Sequence, residues 1–81
     1  MGPTLPTLLS LKPGDIATVF ALDVGSGLAH RLAALGLRAG RTLRVLRRAR
    51  FAGPFHIRVG TTDVMLRARE AQAILVRPLV A

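Results

Sequence analysis

The ten residues Arg31–Gly40, RLAALGLRAG, compress a helix end, a tight turn and the entry to a strand. Leu28, Leu32 and Leu35 stand at i, i+4 and i+7, one apolar stripe of a helix, with His30 and Ala34 off that stripe. Gly36 follows the last of them, and apolar Leu37 follows Gly36. That order predicts a left-handed C-cap, in which only glycine adopts φ > 0 freely and the next residue folds back onto the helix. Upstream, Ser26 is the candidate N-cap, because a hydroxyl can accept from the first unpaired amides of a helix. Downstream, Arg38-Ala39-Gly40-Arg41 predicts a turn into a strand with Gly40 also at positive φ.

The same kind of corner occurs earlier. Lys12-Pro13-Gly14-Asp15 has Pro at the second position and Gly at the third, the type II pattern, since Pro presets φ and Gly14 accepts φ > 0. The spacing L-x-x-G-x-x-x-x-V fits both Leu11…Gly14…Val19 and Leu37…Gly40…Val45, so two strands are entered by one kind of corner. The first strand is Ile16–Leu22, apolar on both faces. The second, Thr42–Ala49, alternates Leu43 and Val45 against Arg44, Leu46 and Arg48. Phe55, Ile57 and Val59 alternate with His56 and Arg58 in a third. Gly60-Thr61-Thr62-Asp63 turns into a fourth, Val64–Arg67. One helical turn, Ala68–Ala73, leads to a fifth, Ile74–Pro78. Residues 1–10, with two prolines and no period, read as a loose leader whose leucines begin to dock, and residues 11–81 as one domain. The pattern is mainly β with a short inserted helix, a small barrel of about five strands; it admits an SH3-like or an OB-like closure.

Eighty-one residues allow one core. No Cys is present, which removes disulfides, thiolate catalysis and Cys-based zinc sites. The first cation is Lys12, and Pro3 and Pro6 interrupt the start, unlike a secretory signal. Pro6 also stands where N-myristoylation wants Ser or Thr. The longest apolar run, Ile16–Leu22, is far shorter than the roughly 20 residues of a spanning helix. A soluble, cytoplasmic protein is expected.

Candidate chemistry is sparse. Ser26 and His30 are i, i+4, but no acid is spaced to orient the imidazole, so no catalytic residue is assigned and the chain reads as a non-enzyme. His30, His56, Asp23, Asp63 and Glu70 are the good metal ligands, and none forms a paired motif; no metal site and no cofactor are assigned. The net charge is +8, with eleven of the twelve cations arginine. Such a surface favours an acidic protein, a nucleic acid or an anionic membrane face. Nucleic acid is the weaker expectation, because no aromatic residues are interleaved with Arg44, Arg47 and Arg48 to form a stacking platform. Partner binding is assigned to Arg31 on the inserted helix, Arg44 and Arg48 on the outward face of the second strand, and Phe51 in the adjoining loop, a mixture of cationic and apolar surface suited to an interface.

The ordered set Leu11, Pro13, Gly14, Arg31, Leu32, Leu35, Gly36, Leu37, Gly40, Pro54, Leu66, Arg67, Ala71 and Ile74 resembles the FeoA family, from about Leu8 to Val76. It departs at Ala39, where the family commonly has Pro. The resemblance implies an SH3-like β-barrel and a cytoplasmic accessory role in bacterial ferrous-iron transport. The implied partner is the large membrane ferrous-iron permease, docked at its cytoplasmic GTP-binding domain, where the basic surface would orient the chain towards an acidic partner or the anionic inner leaflet of the membrane. At the level of the family, transition-metal binding is a further association. The same fold occurs in metal-dependent repressors, so the alternatives are an SH3-like regulatory domain and a nucleic-acid-binding small barrel.

Overall fold

A computed structural model of the chain describes residues 6–49 and 53–79. Five antiparallel strands, β1 (Ile16–Leu22), β2 (Thr42–Arg48), β3 (Phe55–Val59), β4 (Thr62–Leu66) and β5 (Ile74–Pro78), form one sheet of order β4-β3-β2-β1-β5. Helix α1 (Ser26–Ala34) joins β1 to β2, and α2 (Ala68–Gln72) joins β4 to β5. The last strand therefore returns beside the first, and the sheet curls around one core without closing. This is the mainly β, small-barrel architecture expected.

Every strand buries alternate side chains: Ala17 and Val19; Leu43 and Val45; Phe55, Ile57 and Val59; Val64 and Leu66; Ile74 and Val76. Leu8, Leu11, Leu32, Leu37 and Ala71 close the core from outside the sheet, and no polar residue is buried with them. Each fully buried aliphatic or phenyl side chain contributes about 1.5–3 kcal/mol, so this single cluster dominates stability. Leu8 is fully buried within a 3₁₀ turn, Leu8–Ser10, and Thr7 bridges Leu75 on the free side of β5. Of the leader expected over residues 1–10, the part from Pro6 onward is thus docked on the core and the sheet.

The two corners answer each other. Asp15 N–H donates to Lys12 O at 2.9 Å and Arg41 N–H to Arg38 O at 3.1 Å, closing two turns with Gly14 at φ +93° and Gly40 at φ +90°. Gly14 N–H then donates to Val45 O while Val45 N–H donates to Asp15 O. Reciprocally, Gly40 N–H donates to Val19 O and Val19 N–H to Arg41 O. Each Gly and its successor oppose one valine of the other strand, a glycine bulge at either end of the β1–β2 ladder. The shared spacing places each corner against the valine that the other corner introduces.

At the end of α1, Leu37 N–H donates to Leu32 O and Gly36 N–H to Ala33 O, both at 2.9 Å, with Gly36 at φ +95°. These are the two bonds of a Schellman cap, with Leu37 and Leu32 buried together. Two expectations fail at this helix. Ser26 is the first helical residue, because Gly25 holds the cap position and no side chain caps it. Leu35 is 43% exposed, because the cap bends the chain and gives its buried place to Leu37.

Candidate docking surface

Twelve cations face four carboxylates, and three of the four, Asp15, Asp63 and Glu70, are engaged locally. Asp15 accepts from Lys12 N–H and Glu70 from Arg67 N–H, each at 2.8 Å, so both serve the backbone of a turn or helix start. Asp63 accepts from Arg58 Nε at 2.7 Å and pairs with His56 Nε2 at 2.9 Å. Arg58 is the only Lys or Arg within ion-pair distance of a carboxylate among the described residues. Most of the positive charge among the described residues is therefore not paired within the molecule.

Strand register decides where it is displayed. Arg44 of β2 stands opposite Arg58 of β3, which stands opposite Asp63 of β4 on the outward face. The β2–β3 ladder then shifts between Val45 and Arg47, leaving Leu46 as an extra residue. One extra residue exchanges the two faces beyond it. Arg47 consequently joins Arg44 outside, opposite His56, while Arg48 falls opposite inward-facing Phe55. Its guanidinium lies 4.9 Å from the Phe55 ring centroid and donates to Leu11 O at 3.0 Å. The expected outward pair of Arg44 and Arg48 is thus corrected to Arg44 and Arg47. Two guanidiniums directly opposite, Arg44 and Arg58, repel, and Asp63 answers only Arg58. The hydrogen bond from Arg58, then that from His56, holds the Asp63 carboxyl down at about 2.

Arg31 lies elsewhere. It lines a cleft of about 590 Å³ with Pro54, Met65, Leu66, Arg67 and Glu70, whereas Arg44 lines a separate, shallower depression with Ile16, Thr42, Leu43, Arg58 and Gly60. Arg31 and Arg44 do not share a cavity, and Phe51 lies outside the described residues. Met65, 61% exposed, and Arg67 were not assigned from sequence, although Met65 between Val64 and Leu66 in an alternating strand was a readable signal. Phe20, 46% exposed with Arg77 4.8 Å from its ring centroid, is a second apolar and cationic pair on the outward side of the sheet.

For metal, no group of three or more His, Asp or Glu converges among the described residues. His56 and Asp63 are the best pair, but the Arg58 guanidinium holds the same carboxylate. Two ligands and a competing cation do not fit a stable divalent site, which takes three or four donors.

The family described as the FeoA domain matches residues 7–78. The chain belongs to the FeoA family. A FeoA protein from Chlorobium tepidum is 33% identical, with 93% of the chain and 71% of that protein covered and a TM-score of 0.87. Stenotrophomonas maltophilia FeoA, solved with zinc and described as an SH3 domain protein, is 29% identical, with 88% of each chain covered and a TM-score of 0.73. A manganese-dependent transcriptional repressor is 32% identical over 96% of the chain, at a TM-score of 0.83, but the matched part is 43% of that repressor. No curated protein matches by sequence. The family assignment fixes the SH3-like reading of this FeoA domain over the OB-like one. No helix of the described residues is long and apolar enough to cross a membrane.

Proposed function

We propose that this FeoA domain is a non-enzymatic accessory module of ferrous-iron transport that docks on the cytoplasmic GTP-binding part of the membrane iron permease. The observation that carries the reading is the family match over nearly the whole chain, which includes a relative proposed to act as a ferrous iron transport activating factor. The unanswered cations support an acidic partner, because exposed charge of one sign steers encounter and sets orientation. The same surface would favour the anionic inner leaflet beside the permease. Nucleic acid is not the partner in this reading.

The test is association of the purified chain with the permease's GTP-binding domain across a salt series. Binding whose on-rate falls with salt supports the reading; no binding at low salt refutes it. A second reading, a regulatory domain, draws on the likeness to the manganese-dependent repressor. Specific DNA retention by the chain together with a repressor, absent with the repressor alone, would favour it.

A further inference from the structure

The sheet has two edges and the described chain covers one. Val76 N–H donates to Pro6 O at 2.9 Å and Thr7 bridges Leu75, so an N-terminal segment lies along β5. No described residue pairs with the outer edge of β4. Natural edges are usually blunted by a bulge, a proline or a covering segment, since open N–H and C=O groups invite another strand. β4 has none of these among the described residues: it pairs with β3 over five residues, Thr62 to Leu66, without a register shift, and contains no Pro.

Parity tells which groups are open. The two-residue loop Gly60-Thr61, with Gly60 at φ +60°, makes Val59 and Thr62 the closing hydrogen-bonded pair. Antiparallel pairs alternate, so Val64 and Leu66 also face β3, while Asp63 and Met65 point their N–H and C=O outward. Asp63 is the one charge on this edge, and the Arg58 guanidinium already pairs with it at 2.7 Å. At the C-terminal end of the strand the cleft of Arg31, Met65, Arg67 and Glu70 opens, adding an exposed thioether and two cations against one carboxylate, which already accepts from Arg67 N–H.

We infer that the open edge of β4 is a docking site for an extended, acidic segment of a partner protein, which adds as a sixth strand through Asp63 and Met65 and sets carboxylates against Arg67 and Arg31. Backbone bonds supply the extended conformation and the cations select the charge. A second copy of this chain is disfavoured as the occupant, since each copy carries a net charge of +8. The inference rests on the docking reading above only for which protein carries the segment.

Amide exchange followed by NMR tests it, with the blocked peptide Glu-Val-Glu-Val-Glu-Val-Glu as probe, its Lys counterpart as control and the permease's GTP-binding domain in a parallel arm. At saturation with the acidic peptide, exchange of the Asp63 and Met65 amides slows at least about tenfold, as for newly hydrogen-bonded groups. Met65→Pro removes one outward N–H without costing a β3–β4 bond, and weakens the peptide about tenfold, the effect of losing a hydrogen bond. Arg67→Glu weakens it while leaving the exchange of the β1–β5 amides unchanged, which keeps the test valid if the proline variant unfolds. The proposal is overturned if no acidic peptide protects these amides, if the Lys peptide protects them equally, or if protection grows with protein concentration alone. Peptide protection without permease binding would sink the docking reading and spare the edge; permease binding that leaves Asp63 and Met65 exchanging freely would do the reverse.

Discussion

Replacing Gly36 by Ala and replacing Gly27 by Ala are the same chemical change with opposite expected signs. At Gly36 an added Cβ would sit 3.7 Å from Val59 Cγ1, ordinary contact, so no clash opposes it. The cost is conformational: φ is +95°, where a side chain crowds its own backbone by about 1–2 kcal/mol. Gly27 lies in the first turn of α1, with nothing beyond its chain neighbours and the local helix backbone within 4 Å of the added Cβ and no positive φ. There Ala gains up to about 0.5–1 kcal/mol by restricting the unfolded chain. For a domain of this size 1 kcal/mol moves Tm by about 4–8 °C, so Gly36→Ala should melt roughly 5–15 °C lower and Gly27→Ala a few degrees higher. Gly36→Asn should fall between Gly36→Ala and the parent, since Asn visits the left-handed region more readily. Thermal unfolding followed by circular dichroism reads all three. Equal shifts for the two alanine variants would show that the Schellman cap does not hold the helix end.

Arg48→Ala should cost about 1–2 kcal/mol in urea unfolding, because it removes the bond to Leu11 O and the contact with Phe55, whereas Arg44→Ala should stay within about 0.5 kcal/mol. Leu8→Ala should cost about 2–5 kcal/mol, the range for truncating a buried leucine, if the segment from Pro6 is integral to the core. Asp63 binds its proton less readily when folded, at about 2, than an ordinary carboxyl does. Its contribution is therefore complete above the unfolded value of about 3.9 and is lost as pH falls towards 2. Asp63→Asn should then be less stable than the parent at pH 6 and lose less between pH 4 and pH 2, which denaturant midpoints at the three pH values would check. Ferrous iron or zinc at modest excess should leave Tm unchanged; a saturable rise abolished by His56→Ala would contradict the two-ligand reading of His56 and Asp63.

Local rules carried the reading of the corners, the cap at Gly36 and the spans of β1, β3 and β5, because each depends on residues adjacent in sequence. What sequence could not show arose from pairing. The extra residue Leu46 is visible only against β3, and it moved Arg47 and Arg48 to opposite faces from those that strict alternation gave. The fourth strand begins at Thr62, not Val64, because Gly60-Thr61 alone makes the turn. Leu35 followed the helical stripe but yields to Leu37, a competition that depends on the direction of the chain after the cap. The separation of Arg31 from Arg44 and the open edge of β4 are matters of strand order, which no local pattern encodes.

The accessory role is tested most directly by uptake of radiolabelled ferrous iron in cells that lack this chain and retain the permease at its normal level. The account predicts slowed uptake, restored by the parent chain and not by a folded variant, Arg31→Glu with Arg67→Glu, that has lost permease binding. Uptake unchanged by removal of the chain would contradict it.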